Sequence, residues 1–191
     1  MKGSILMGGT LLVAAAMGAG LWYSSNSAYY YEVNGLTEVA VGDAVLPVSD
    51  YRGIDADTSP LKMRACFTAN WDIAPDAAGT DGAQPLIAPT WFDCFDAKQL
   101  TADLQSGAAT VLLSNQNKPY GFDTFIARYP DGRAFMWRQI NACGEAQFSG
   151  GDLPEGCPDP DSAQARDKTG AVLSEAVRTA EKTEILMEER T

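Results

Sequence analysis

The chain contains no histidine, and its 191 residues include only four cysteines. Without an imidazole, the Ser-His-Asp triad, the Cys-His pair, His-ligated zinc and the C-x-x-C-H haem site are all excluded. A phospho-accepting histidine is excluded for the same reason. The sequence also lacks the G-x-G-x-x-G, Walker A and G-x-S-x-G motifs. We therefore predict a protein that is not an enzyme and that has no catalytic residue, no cofactor and no metal.

Basic residues are scarce. The chain has 14 Lys and Arg and 25 Asp and Glu, which give a formal net charge of −11. Binding to nucleic acid needs clustered basic side chains that face phosphate, so we exclude nucleic acid as a partner. A calcium-binding loop is excluded as well. Asp55 and Asp57 match the start of such a loop, but Pro60 and Cys66 occupy the positions that require Gly and an acid.

Charged residues are missing from one long run near the N-terminus, Ile5 to Tyr23. A helix needs about 20 residues to cross a bilayer, so this run predicts a transmembrane helix. Lys2 precedes it and the first acid is Glu32, an order that predicts a cytoplasmic N-terminus. The alternative is a cleaved signal peptide with a small-residue site at 25–28, although the run exceeds the usual signal core of roughly 7–15 residues.

Small residues recur at a spacing of four within this run, at Thr10, Ala14 and Gly18. This spacing lets a second membrane helix approach closely, although Gly and Ala are also simply common in membrane helices. The pattern is compatible with a membrane-protein partner. We expect a single-pass protein of the inner membrane with the bulk of the chain in the periplasm.

Four cysteines follow the apolar run: Cys66, Cys94, Cys143 and Cys157. An even number in an exported chain predicts two disulfides, because that compartment is oxidising. Three pairings are possible. We favour the sequence-adjacent one, since each bridge would then pin a loop rich in Pro, Gly and Asp. The loop-entropy model gives each bridge on the order of 3 kcal/mol.

Hydrophobic patterns predict a few regular elements. Residues 61–68 alternate between apolar and other side chains, and residues 109–114 are mostly apolar, so both predict strands. A helix is predicted over 98–105. Asp96 suits its N-cap, and Gly107 suits its C′ position.

Glycine, proline and aspartate are frequent in two stretches, 42–60 and 69–90, which we predict to be loops. An Asp-Gly dipeptide at 131–132 stands between two alternating runs and predicts a hairpin with a two-residue turn. That turn would set Ile126 opposite Trp137.

The predicted fold class is α+β. An N-terminal transmembrane helix is followed by a small antiparallel sheet with one packed helix, stapled by disulfides, and by a C-terminal tail that is helical or disordered. The predicted divisions are a membrane anchor at 1–28, a periplasmic α+β domain at 29–157 and an acidic tail at 158–191.

Polar residues in or beside the predicted strands are candidates for ligand binding: Arg64, Arg138, Asn115 and Tyr120. A guanidinium fork suits a carboxylate or another anion. The alternative, which we favour for both arginines, is an ion pair with one of the many acids. Asp93 and Asp96 flank Cys94 and resemble an acid–base pair, but Asp96 already suits a helix cap.

Several segments resemble a family of uncharacterised membrane-anchored proteins from alphaproteobacteria. The resemblance lies in IDADTSPLKMRACF, PLIAPTWFDCFDA and YPDGRAFMWRQIN, with Cys143-Gly144 nearby, and in the anchor that ends in aromatics. It covers about residues 1–157. Members are sometimes labelled histidine kinase, a label that the missing histidine makes untenable here. The resemblance implies no functional residue.

Three functions remain open. The first is an accessory subunit, assembly factor or tether of an inner-membrane complex. The second is a periplasmic module, similar to a sensor, that binds a small ligand or a peptide. The third is an enzyme that uses carboxylates alone, at Asp93 or at Asp55 and Asp57.

Overall fold

The computed structural model describes residues 2–73 and 82–160. Within these ranges the chain forms three α-helices, seven strands and two short 3₁₀ turns, at Pro60–Lys62 and Trp71–Ile73. The helices are α1 (Lys2–Asn26), α2 (Ala97–Ser106) and α3 (Ala142–Ser149), and the strands are β1 (Tyr31–Asn34), β2 (Glu38–Val41), β3 (Ala44–Asp55), β4 (Arg64–Ala69), β5 (Thr110–Asn115), β6 (Phe122–Arg128) and β7 (Arg133–Ile140).

The strands form one antiparallel sheet in the order β1-β3-β4-β7-β6-β5, with β2 paired to the first part of β3. The sheet curls until β2 reaches β5. There the Gly42 N–H donates to the Ser114 carbonyl, and the Ser114 hydroxyl donates to the Ala40 carbonyl. The curl therefore encloses one face of the sheet and leaves the other face to be covered by other parts of the chain.

Both faces of the sheet are apolar, which divides the core into two layers. The enclosed inner face carries fully buried side chains such as Leu46, Met63, Ile126 and Met136. The outer face carries Trp137, Phe125 and Ala127, and it is covered by α2 and by the segment 82–96. We call residues 82–96 the covering segment.

The strand β3 corrects the prediction of a loop over 42–60. The Val48 N–H donates to the Thr37 carbonyl. Successive residues of an antiparallel strand turn their backbone groups to opposite sides, so the nitrogen of Pro47 points away from β2. A Cβ at Gly53 would lie 2.8 Å from Cε1 of Tyr51, so glycine is required there for close packing. Proline and glycine therefore mark special positions within this strand and do not interrupt it.

The β6–β7 hairpin is present, but its register differs from the predicted one by one residue. Phe125, not Ile126, faces Trp137, and the turn contains three residues, Pro130 to Gly132. Gly132 has φ +94, and its N–H donates to the Tyr129 carbonyl. The second strand therefore starts after a longer turn than the Asp-Gly dipeptide indicated.

The predicted transmembrane helix is contradicted. Among the described residues, no helix is both long enough and apolar enough to cross a membrane. Several positions of α1 carry glycine or threonine instead of aliphatic side chains, and its last turn is polar, Ser24–Asn26. The sheet is also larger than the small one predicted, and α3 was missed. The predicted tail, apart from residues 158–160, lies outside the described residues.

The helix α3 depends on a close approach between two glycines. Asn141 caps the helix, and its side-chain oxygen accepts from the Gly144 N–H. Its amide group donates to Oδ1 of Asp123 at 2.8 Å and so ties the cap to β6. A Cβ at Gly144 would run into the carbonyl group of Gly121, which has φ +84.

We predict that Gly144→Ala destabilises the protein. Alanine would normally favour the helix, but here the new methyl group meets backbone atoms that cannot rotate away. We expect a loss of about 1–3 kcal/mol in the free energy of unfolding, measured by urea denaturation. Gly151→Ala is the control, because its new Cβ would make only ordinary contacts. Equal stability of the two variants would contradict the prediction.

Candidate functional site

The covering segment is held to the sheet by the buried side chain of Arg64. Its Nε donates to the Leu86 carbonyl at 2.8 Å, and Nη2 donates to the Ile87 carbonyl at 3.3 Å. Its Nη1 donates to the carbonyls of Leu61 and Met63 at 2.7 and 2.6 Å. Burial lowers the pKa of Arg64 to about 10, so the side chain stays charged at neutral pH.

The Cys66–Cys94 disulfide joins the same segment to β4, with the Cα atoms 6.3 Å apart. Two residues later Asp96 caps α2, because its Oδ1 accepts from the N–H groups of Lys98 and Gln99. The second disulfide joins Cys143 to Cys157, and the chain therefore has the sequence-adjacent pairing. Together these bonds determine where the covering segment ends and where α2 begins.

The cover is incomplete at the margin of the sheet, and a cleft of about 320 Å³ remains there. Its lining combines polar and aromatic residues of β1, β3 and the covering segment: Glu32, Asn34, Arg52, Gly53, Trp91 and Phe92. Asn34 lies opposite Arg52 in the ladder, and Glu32 is two residues away on the same strand. The side chains of these three residues therefore point to the same face of the sheet.

Arg52 is one of the residues that line the cleft. Its Nη2 donates to Oδ1 of Asp93 at 2.7 Å, and its guanidinium carbon lies 6.0 Å from the centroid of the Phe92 ring. The Arg52 hydrogen bond and charge lower the pKa of Asp93 below its usual value. The two side chains are 54% and 74% exposed, so this ion pair contributes little to stability. It nevertheless neutralises the charge of Arg52.

Glu32 and Trp91 also line the cleft. Glu32 accepts a hydrogen bond from the side-chain amide of Asn34 at 2.9 Å, but it takes no part in the three ion pairs of the described residues. The indole N–H of Trp91 donates to the Asn26 carbonyl at 2.7 Å, and the ring meets the edge of Tyr30. The cleft therefore presents a carboxylate that belongs to none of these ion pairs, beside an aromatic ring that is anchored by a hydrogen bond.

A model of a family of unknown function, DUF6446, matches residues 35–158. The chain belongs to the DUF6446 family. Neither the curated proteins nor the solved structures contain a match to the chain. The DUF6446 region includes both disulfides, Arg52 and the covering segment, whereas β1 lies just before it.

The two candidate arginines of the DUF6446 region lie on opposite faces of the sheet and do not share a pocket. Arg64 faces Trp137 in the ladder, on the outer face. Arg138 is the next residue of β7, so its side chain points to the inner face. There its Nη1 lies 3.1 Å from Oδ2 of Asp55, and both side chains are largely buried. The ion pair expected for an arginine is therefore present at Arg138, whereas Arg64 binds backbone carbonyls.

The other two candidate residues also have local partners. The side-chain amide of Asn115 donates to the hydroxyl of Ser114 at 3.3 Å. The Tyr120 hydroxyl donates to the Pro158 carbonyl at 2.9 Å, beside the second disulfide. The structure therefore does not bring the four predicted ligand-binding residues together.

The candidate carboxylates do not converge either. Asp55 is paired with Arg138, Asp93 with Arg52, and Asp96 caps α2. Within residues 2–73 and 82–160, no group of three or more Cys, Asp or Glu residues could hold a metal ion.

The small residues Thr10, Ala14 and Gly18 are exposed on α1. A Cβ at Gly18 would meet no atom within 4 Å. Their predicted role in packing against a second membrane helix presupposes the spanning helix that the structure contradicts.

Sequence reasoning missed Glu32, Arg52 and Trp91 as site residues. The only local signals were a polar alternation at Glu32 and Asn34 and the adjacent aromatics Trp91 and Phe92. Arg52 fell in the stretch predicted to be a loop, so no face could be assigned to it. These residues become neighbours only through the pairing of β1 with β3 and the path of the covering segment.

We predict that Arg64→Lys loosens the covering segment. A lysine has three donors on one nitrogen and cannot bridge four carbonyls in two segments, so buried acceptors lose their partners. We expect a loss of about 1.5–3 kcal/mol in the free energy of unfolding and faster amide exchange at 86–92. The control is Arg133→Lys, an exposed pair partner of Asp131, with an effect within about 0.5 kcal/mol. Similar effects of both variants would contradict the prediction.

We predict a specific pH dependence for Asp55. Burial raises the pKa of this carboxyl above 3.8, and the charge of Arg138 opposes the shift only in part. A folded-state pKa above the unfolded one favours folding below about pH 4, and this contribution is lost as the pH rises through the raised pKa. The stability advantage of the wild type over Asp55→Asn should therefore shrink from about pH 4 to about pH 7 in urea denaturation.

The control for this experiment is Asp131→Asn. The hydrogen bond from Arg133 lowers the pKa of Asp131, so the wild-type advantage over this variant should grow with pH. Two slopes of the same sign would contradict the assignment.

Proposed function

We propose that this protein is a non-catalytic accessory module of an oxidising compartment outside the cytoplasm. It binds an extended segment of a partner protein at the cleft between β1 and the covering segment. The observation that carries the proposal is this cleft of about 320 Å³ at the margin of the sheet. It combines a carboxylate, a neutralised arginine and two aromatic rings, a mixture that suits a peptide with polar and apolar groups.

The proposed compartment is supported by the two disulfides, which use every cysteine of the chain. Disulfides persist outside the reducing cytosol. The alphaproteobacterial origin belongs to the same proposal and rests on the sequence resemblance, whereas the association with an inner-membrane complex rests on the apolar surface of α1. Apolar side chains of α1 are exposed, such as Leu11, Leu12 and Leu21. An exposed apolar surface of this kind favours association with another molecule.

The non-catalytic part of the proposal rests on how the charged side chains are used. Asp55 and Arg138 neutralise each other in the inner core, and Arg64 holds the covering segment. Asp96 is engaged as a helix cap. These groups maintain the fold, and the charged residues that line the cleft are Glu32 and Arg52.

A displayed library of random heptapeptides, panned on the full chain, tests the proposal. We expect enriched peptides that bind the wild type and bind at least about tenfold more weakly to Trp91→Ala. The matched control is Phe148→Ala, an exposed aromatic on α3. This control should bind like the wild type.

Thermal unfolding of each variant separates loss of binding from loss of folding. The proposal fails if no peptide is enriched. It also fails if the enriched peptides bind the folded Trp91→Ala variant as tightly as the wild type.

A further inference from the structure

We infer that the bound segment adds an antiparallel strand to β1 and places a basic side chain in the cleft, next to Glu32. This inference rests on the proposed function and specifies its ligand class: an extended peptide with lysine or arginine at alternate positions. The outer edge of β1 supplies the backbone contacts, and the cleft supplies the selectivity.

The backbone of β1 is oriented for such an addition. β1 is the terminal strand of the described sheet. The Gly35 N–H donates to the Tyr51 carbonyl at 3.0 Å. Hydrogen-bonded pairs alternate in an antiparallel ladder, so Val33 also turns its backbone groups toward β3. Glu32 and Asn34 therefore turn their N–H and C=O groups toward the open edge, where a strand can pair with them.

The same two residues contribute side chains to the cleft. In an antiparallel hydrogen-bonded pair, the two opposed side chains point to the same face of the sheet. A peptide residue opposite Glu32 would thus direct its side chain to the cleft side of the sheet. Neighbouring strands lie about 4.8 Å apart, so a long side chain there can reach both Glu32 and the Trp91 ring.

The charges around the cleft select a cation. Glu32 has no basic partner among the described residues, and Arg52 is already neutralised by Asp93. The Trp91 ring is 39% exposed, and its face attracts an ammonium or guanidinium group. The net charge of −11 draws basic segments and repels acidic ones.

A second copy of this chain is a less suitable occupant of the edge. Pairing of two β1 strands would bring two Glu32 carboxylates and two acidic molecules together, and like charges in facing strands are destabilising. Self-association is therefore kept as an outcome of the test.

The probes are two acetylated and amidated nonapeptides of alternating sequence, one of Thr and Lys and the other of Thr and Glu. Binding to the full chain is followed by NMR through the Trp91 indole signal and the amide signals of Glu32 and Asn34. We expect the lysine peptide to bind at least tenfold more tightly than the glutamate peptide. Its affinity should fall as the salt concentration rises.

Methylation of the peptide backbone tests strand addition directly. The residues that face the cleft are also those whose N–H groups pair with β1. Methylation of the lysine amides should therefore weaken binding at least tenfold, whereas methylation of the threonine amides should change it less than about threefold. Equal effects of the two methylation patterns would overturn the strand geometry.

Glu32→Gln should weaken the lysine peptide about three- to fivefold and reduce its salt dependence. The matched control is Glu38→Gln on β2, which is also exposed and should leave the affinity unchanged. Equal binding of the lysine and glutamate peptides overturns the inference but leaves the proposed function standing if panned peptides still require Trp91. Self-association of the free chain that Glu32→Gln strengthens would overturn the inference in favour of a second copy.

Discussion

Two hydrogen bonds from the buried Arg64 side chain hold the covering segment to the sheet, and two more fix the side chain to the carbonyls of Leu61 and Met63. The covering segment contains Pro85 and Pro89 and runs over an apolar face without forming a strand or helix of its own until α2. Leu86 is half-buried there, and its carbonyl would lack a partner on such a face, which is costly. Arg64 supplies the donor at a point where the disulfide of Cys66 crosses to the same segment.

The path of the covering segment explains both the buried core and the cleft. The segment brings Phe92 and Phe95 onto the outer face, where they pack in the same layer as Trp137. It also brings Trp91 to the end of α1, where the indole N–H satisfies the Asn26 carbonyl. The sheet continues past the segment at β1, so the margin stays partly open and the polar side chains there remain accessible.

Local signals were sufficient wherever one residue and its immediate neighbours decide the structure. Asp96 and Gly107 delimit α2 as expected, because a cap depends on backbone groups within two or three residues. The hairpin was located correctly, but its predicted register was wrong by one residue. The turn is longer than predicted, and the observed register stacks Phe125 on Trp137. Strand β3 was missed because Pro47 and Gly53 indicate breaks when the partner strands are unknown.

The sequence by itself excluded chemistry that needs a histidine, and it determined the use of all four cysteines in disulfides and the ends of one helix. These follow from residue types or from contacts between near neighbours. Only the tertiary structure decided that Arg64 and Arg138 lie on opposite faces and that Glu32, Arg52 and Trp91 share a cleft. In a strand, a shift of one residue moves a side chain to the other face, and the register is set by packing between distant segments.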